Sequence, residues 1–410
     1  MKPTLFGYGL TTKAIATSLG GGCKIYDDNT KQRYFDEERN EIIPSCEFDP
    51  SQSALEVTTP SFPPSHPLVQ KARHLISEYD YLLAPSSTQK VPFTIWISGT
   101  NGKTTTTQMV THLLAKRGAL SGGNIGTPLA LLERQAPIWV LESSSFTLHH
   151  TTSVFPNIYL LLPITPDHLD WHGSTQAYED AKLKPLLGMR EGEMALIPKG
   201  LKVPQTNAFV VEYDSNEFLA HYFAIDASKI NFRGAFLQDA LLALAVTKVL
   251  FDEIDYEAIN NFRVDAHRQE EIRDAQGRLW INDSKATNID ATIQAVATFD
   301  ERLIHLILGG DDKGVELDEL FEAMPKTIRL YAIGSNTQKL MRLAQKYKRE
   351  ALACHTLDRA VDAIAQALTK EEIALLSPAA ASKDQFKSYI DRGEQFRDRI
   401  KKLPHKNRSL

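Results

Sequence analysis

Phe93-Thr94-Ile95-Trp96-Ile97-Ser98-Gly99-Thr100-Asn101-Gly102-Lys103-Thr104-Thr105 is the stretch that decides the fold. Residues 93–98 form an apolar run that reads as a buried strand. Gly99 and Gly102 let the following backbone turn tightly, so that its N–H groups converge on one point. A helix opening at Lys103 brings its positive dipole end to the same point. The combination predicts a phosphate-binding loop, with Lys103 reaching the outer phosphates and the Thr104 hydroxyl holding magnesium. Ile97 stands where the general pattern has its first glycine. Strand, loop and helix still fall in the required order, so a nucleoside triphosphate is the first candidate ligand.

Outward from this loop the chain alternates strands and helices. The middle segment has further apolar runs at Ile138–Leu141 and Ile158–Leu162 and an apolar helix at Gly234–Leu250. Unbroken runs of this kind suit strands covered on both faces of a largely parallel sheet. Before it, Thr4-Leu5-Phe6, a helix over Lys13–Leu19 and the strand Cys23–Tyr26 make a βαβ opening around Gly7-Tyr8-Gly9. Asp27 and Asp28 end its second strand, about twenty residues after the first glycine, as in dinucleotide-binding folds. Thr12 sits where the third glycine of that fingerprint belongs, so a packing turn and a ligand site stay equally open. The loop Thr58–Pro64, with Ser61, follows a third short strand. After Asp265, strands at Leu279–Ile281, Leu303–Leu308, Ile328–Ile333 and Ile373–Leu376 alternate with helices such as Gln338–Tyr347 and Ala360–Leu368. The expected architecture is α/β throughout, in three domains over residues 1–92, 93–264 and 265–410. The first and third are Rossmann-like and the central one is P-loop ATPase-like.

Composition narrows the class. The chain has 410 residues, 42% of them hydrophobic, and a formal net charge of −5. No long basic run occurs, so nucleic-acid binding has no electrostatic support; Lys346–Arg349 reads as a solvated helix end. Cys23, Cys46 and Cys354 are distant and odd in number, which argues against a disulfide framework or a zinc site and for reduced packing residues. The N-terminal stretch is broken by glycines, threonines and Lys13 and lacks a signal-peptide core. No run reads as long enough to span a bilayer. The expectation is a cytoplasmic monomer, since no heptads are sustained.

Polar clusters recur where apolar runs end. Glu142 closes the run at 138–141 and is placed to hold magnesium through oxygen, with Ser143–Ser145 orienting it or capping the next helix. Asp167-His168 follows the run at 158–162; His168 suits a metal, a substrate contact or a proton. Lys182, taken alone, reads as one more exposed helical lysine. Gly122–Gly126, with Asn124, can bring backbone and an amide close to a ligand. In the third segment His267-Arg268 offers a fork for phosphate, and Asn282–Asn288, Gly309–Lys313 and Ser377–Ser382 each end or follow strands. Each alone is compatible with a plain loop. Together they argue for one ligand-lined face.

Taken in order and spacing, Gly99–Thr105, Gly123–Gly126, Glu142, Asp167-His168, Lys182, His267-Arg268, Asp283–Asn288 and Gly309–Asp311 resemble the Mur ligases. These are ATP-dependent amide-bond-forming enzymes of peptidoglycan precursor synthesis, and the likeness runs end to end. Gly9-Leu10-Thr11, Asn282–Asn288 and Ser377–Phe386 are most similar to the branch that adds D-glutamate to UDP-N-acetylmuramoyl-L-alanine. Asn101 stands where the L-alanine-adding branch has histidine, and the Asp-Asn-Pro-Arg motif of the diaminopimelate- or lysine-adding branch is missing. The resemblance implies that Leu10, Thr11, Asp27, Asp28, Ser61 and Asn124 serve the UDP-linked substrate. It implies that Gly99–Thr105, Arg268 and Asp283 serve ATP, and that Lys285, Thr287, Lys313, Ser382 and Tyr389 serve D-glutamate. Two magnesium ions are implied, one on Thr104 and Glu142, the other on His168 and a carbamylated Lys182. Lys103, Glu142, His168 and Lys182 would be catalytic. Asp28, Pro166, Asp239, Asp312 and Lys383 depart from the family's pattern. A folate-type ligase, an ATP-binding regulatory module and a nicotinamide dehydrogenase are the competing classes. The residues before Pro92 count against the first, the charged third segment against the second, and Thr12 against the third.

Overall fold

Three six-stranded sheets organise the chain; the first two are each opened by an apolar strand near the sheet's centre, the third by its edge strand. The computed structural model describes residues 2–85, 91–299 and 301–403; residues 404–410 of the expected third domain lie outside this set. The chain divides into two compact units, Met1–Asn231 with Leu237–Phe262, and Phe232–Phe236 with Arg263–Leu410. The first two sheets belong to the first unit.

The first sheet contains β1 (Thr4–Phe6), β2 (Lys24–Asp27), β3 (Tyr34–Phe35), β4 (Glu41–Pro44), β5 (Glu56–Thr58) and β6 (Leu75–Ser77), in the order β3-β4-β2-β1-β5-β6. Only the edge strand β3 runs antiparallel. Helix α1 (Leu10–Ser18) starts three residues earlier than its sequence suggests. Thr12 explains the start. It is fully buried, its Oγ1 accepts from Gly9 N–H at 3.2 Å and it donates to the Gly7 carbonyl. A side-chain hydroxyl thus ties the turn that a third glycine would otherwise let pack. Helices α2 (Pro67–Lys71) and α3 (Glu78–Leu83) complete this layer.

The second sheet is wholly parallel: β7 (Phe93–Ser98), β8 (Ala119–Gly123), β9 (Ile138–Glu142), β10 (Ile158–Leu161), β11 (Met194–Pro198) and β12 (Phe209–Tyr213), in the order β12-β11-β10-β7-β9-β8. Residues 95–97 and 139–141 are completely buried, as strands covered on both faces must be. Between the strands come α4 (Lys103–Leu113), α5 (Ser145–His150), α6 (Leu169–His172) and α7 (Thr175–Leu183), and α8 (Asn216–Tyr222) follows β12. Strand β7 lies where the chain's connections diverge, toward β9 on one side and β10 on the other. That is the switch point at which open α/β sheets bind ligands, beyond the carboxyl ends of the strands. Tyr79 of α3 packs on Trp96 at 4.8 Å between ring centres, within one continuous apolar core shared by the two sheets.

Helix α9 (Gly234–Phe251) corrects one expectation. Its 18 residues, at a mean hydropathy of 1.6, have the length and composition of a membrane span. Half of that window is buried inside the protein, and Asp239 within it is 2% exposed and accepts from Thr106 Oγ1 at 2.9 Å. An apolar helix that covers a sheet passes the same test as one that faces lipid.

After α10 (Tyr256–Asn261), the third sheet holds β13 (Glu270–Arg273), β14 (Leu279–Asn282), β15 (Ile304–Gly309), β16 (Ile328–Ile333), β17 (Glu350–His355) and β18 (Ile373–Leu376). Their order is β13-β14-β18-β15-β16-β17, with β13 antiparallel at the edge. Helices α11 (Ile289–Thr298), α12 (Asp318–Ala323), α13 (Thr337–Lys346), α14 (Leu357–Ala367) and α15 (Tyr389–Lys401) cover it. Alternate residues of its strands feed two separate apolar clusters, one on each face. Cys23 and Cys354 are buried, whereas Cys46 is exposed and so is not a packing residue; all three are free.

Candidate functional site

The loop after β7 takes the conformation that its glycines allow. Gly99 has φ +143° and Gly102 φ +82°, and a Cβ on Gly99 would stand 2.5 Å from the Leu162 Cβ. The Lys103 ammonium lies back over the loop and donates to the carbonyls of Gly99 and Thr100 at 2.9 and 2.8 Å. Thr100 Oγ1 accepts from Thr165 N–H at 2.9 Å and meets the Tyr178 hydroxyl at 3.1 Å, which fastens the loop to the segment after β10.

Lys182 is not the exposed lysine that its helix suggests. It is 1% exposed, and its Nζ donates to Gly99 O at 2.8 Å and to Ser98 Oγ at 3.4 Å. Burial first, and then the nearby Lys103 charge, push its ammonium well below the ordinary lysine range. Tyr178, one helical turn before it on α7, places its ring 4.6 Å from the same nitrogen.

Glu142 ends β9 with its side chain 3% exposed. Its Oε1 accepts from Asn124 Nδ2 at 2.8 Å, and its Oε2 is buried with no hydrogen-bond partner. An ionised carboxylate oxygen left so is costly unless a cation completes it. Of the two roles that the sequence left open for the serines after it, helix capping is the one observed. Ser144 Oγ caps α5 by accepting from Thr147 N–H at 3.1 Å, while Ser143 Oγ lies 3.1 Å from the Tyr79 hydroxyl. His168 is a positive-φ residue opening α6, half exposed, 3.6 Å from Asp167, with its ring tilted against that of Phe146 at 4.7 Å between centres. Thus the loop, Lys182 and Tyr178 form one bonded network, Glu142 pairs with Asn124, and His168 lies beside Phe146 and Asp167.

In the first sheet the two acidic residues after β2 differ. Asp27 accepts from the backbone N–H of Tyr8 and of Asn29, both at 3.0 Å, and so shapes the loops. Asp28 is exposed and meets His66. Leu10 is 81% exposed at the start of α1, and Ser61 is also open to solvent.

The second unit gathers its own cluster. Asp283 accepts from Ser377 Oγ at 2.8 Å and from Gln269 N–H at 3.2 Å. Burial raises its carboxyl to about 7, against these bonds and the Arg268 charge, which pull it down. The Lys285 ammonium stands 4.1 Å over the Tyr389 ring. Arg392 is fully buried and donates to Ser284 O at 2.8 Å and to Ala380 O at 3.1 Å, which joins the loops after β14 and β18. Ser382 is buried on the second of these loops; Thr287 and Lys313 are exposed. Asp312 is bound by Asn336 at 3.1 Å and Lys339 at 3.2 Å, so its departure from the family's pattern braces the Lys313 loop.

Residues 97–237 match the family described as Mur ligase middle domain, and residues 267–380 that described as Mur ligase, glutamate ligase domain. The UDP-N-acetylmuramoylalanine--D-glutamate ligase of Campylobacter jejuni is 47% identical over 407 residues, covering 98% of this chain and 100% of that protein. The chain belongs to the Mur ligase family. The Helicobacter pylori protein of the same name is 45% identical over 416 residues, 97% of this chain and 99% of its own. Among solved Mur ligases, the UDP-N-acetylmuramate-alanine ligase of Thermotoga maritima superposes with TM-score 0.56 at 16% identity, over 97% of this chain and 99% of that one. The MurF ligase of the same organism, in complex with ADP, gives 0.58 at 14% identity, over 92% and 94%. At such identities the likeness concerns the fold, an α/β Mur ligase architecture with three mostly parallel sheets.

Sequence reading of this Mur ligase missed Tyr178 and Arg392. Tyr178 precedes Lys182 by four residues, a spacing that puts both on one helix face. Arg392 had no local signal, because what marks it is burial beneath two loops distant in sequence.

Proposed function

We propose that this chain is an ATP-dependent ligase joining D-glutamate to UDP-N-acetylmuramoyl-L-alanine in the cytoplasm, releasing ADP and phosphate. The observation that carries this reading is the 47% identity, over essentially the whole chain, to a ligase of that name. In this reading residues 1–92, 93–264 and 265–410 are the domains for the UDP-linked substrate, ATP and the amino acid. The first and third are Rossmann-like and the second P-loop-like.

The chemistry runs in two steps. The alanyl carboxylate of the substrate attacks the γ-phosphorus of ATP, the bond to the β–γ bridging oxygen breaks, and ADP leaves. The amine of D-glutamate then attacks the acyl phosphate carbonyl, phosphate departs, and the amine gives up a proton. Residues 99–105 would hold the triphosphate. Lys103 would exchange its two loop carbonyls for phosphate oxygens and neutralise charge that grows on the transferring group. Arg268 and Asp283 would also serve ATP. The lysines and hydroxyls of Lys285, Thr287, Lys313, Ser382 and Tyr389 suit the two carboxylates of D-glutamate.

The residues fit magnesium. The partnerless buried Glu142 Oε2 and the Thr104 hydroxyl are hard oxygen donors. His168 and Lys182 would serve a second ion, which when bound supplies charge neutralisation for the phosphates. A neutral amine at Lys182 is a nucleophile toward carbon dioxide: an N–C bond forms, one proton leaves, and a cation becomes an anionic oxygen ligand. Its burial against Gly99 O favours that neutral amine.

Phosphate release with ATP, magnesium and UDP-N-acetylmuramoyl-L-alanine tests the function. Release that requires D-glutamate, with the dipeptidyl product seen by mass, is expected. Equal release with L-glutamate, or ligation of glutamate to a folate instead, overturns the reading.

A further inference from the structure

His66 is the N-cap of α2, and its ring is held on three sides. Its Nδ1 accepts from Leu68 N–H at 3.2 Å, its edge packs at 4.6 Å on the Phe62 ring, and its Nε2 lies 2.9 Å from Asp28 Oδ2. An Nδ1 that accepts a backbone N–H carries no proton, so Nε2 must carry one and donate it to the carboxylate. Asp28 follows β2, and His66 follows β5. These strands flank β1, so the pair bridges the two loops across the carboxyl end of the sheet's central strand. His66 is mostly enclosed, with 17% of its side chain exposed against 48% for Asp28. One carboxylate oxygen is therefore pinned from below while the residue remains open to a ligand. The neighbouring Asp27 differs, since both of its oxygens accept backbone N–H groups.

We propose that His66 is a positioning residue for the UDP-linked substrate, acting through Asp28, whose carboxylate accepts the N3–H of the uracil ring. This rests on the reading of the first sheet as the UDP-substrate domain. A uracil presents a donor at N3, whereas a cytosine presents a lone pair there, which a carboxylate repels. Where a neutral residue would tolerate either base, the His66–Asp28 couple selects uracil. The imidazole fixes the carboxylate's orientation without competing for its remaining acceptor capacity.

Calorimetric titration of the full chain with UDP and with CDP tests this, alongside KM and kcat for the UDP-linked substrate. Wild-type protein is expected to favour UDP over CDP by about tenfold or more. Asp28→Asn should bring that ratio near one and raise KM for the UDP-linked substrate about tenfold, with kcat and the KM for ATP unchanged. His66→Ala should lose most of the discrimination. His66→Gln, whose amide nitrogen can replace the Nε2 donor, should restore it. A discriminating wild type with Asp28→Asn or His66→Ala equally discriminating overturns the proposal alone. A wild type that binds no UDP overturns the reading of the domain as well. Loss of kcat together with KM, or no rescue by glutamine, marks the pair as a structural clamp and also overturns it.

Discussion

Lys103 and Lys182 converge on one acceptor, the Gly99 carbonyl, yet the chemistry proposed for them is opposite in sign. Lys103 must stay cationic. Its replacement by alanine is expected to lower kcat by about a thousandfold, as loss of a preorganised charge contact does. A near-normal kcat in steady-state assays would refute its role. Lys182 must lose its charge before it becomes a carbamate. Lys182→Ala should lose most activity and regain part of it with added short carboxylic acids, which supply the missing anionic oxygens. Absence of rescue at any acid concentration leaves the carbamate without support. The two lysines also differ in how they could be read. Lys103 was legible because glycines, lysine and threonine stand together in sequence. Lys182 was legible only through resemblance, since its 1% exposure arises from packing under a strand more than eighty residues earlier.

At the level of elements, α3 carries a buried acid in its first turn. Glu78 is buried, Leu129 N–H bonds it, its Oε1 has no partner, and burial raises its carboxyl to about 7. A raised folded-state value means that the folded state holds the proton more tightly than the unfolded one. Its contribution to stability is therefore full below the usual carboxylate range and is lost as pH rises through about 7. His150 and His172 work the other way. Burial pushes both down to about 4, so their contribution is present above the ordinary histidine range and is lost as pH falls toward 4. Because the two effects oppose, the clean observable is a difference. Glu78→Gln should melt at a temperature that rises relative to wild type as pH goes from 5 to 8, by up to about 3 kcal/mol of stability. A pH-independent difference would show that Glu78 is not neutral in the folded protein. Most elements were legible from apolar runs and glycine punctuation. The start of α1 was not, because Thr12 ties its turn through two bonds to backbone that only the folded loop brings near.

For the whole molecule, sedimentation equilibrium should give a mass close to 45.9 kDa at micromolar concentration. A stable mass near twice that removes the monomer expectation. The sequence by itself determined the α/β alternation, the phosphate loop and the order of the strand-end clusters. Each of these is a local pattern: a run of apolar residues, a turn that needs glycine, a charge set against an apolar end. Tertiary structure alone decided which of those residues meet. It buried Lys182 against Gly99, left Glu142 Oε2 without a partner and joined Asp28 to His66 across the end of β1. It also showed that α9, apolar enough for lipid, has half its apolar window buried inside the protein. The physical reason is that burial and partnering depend on surfaces contributed by segments far apart in sequence, whereas periodicity and turn chemistry are written within a few consecutive residues.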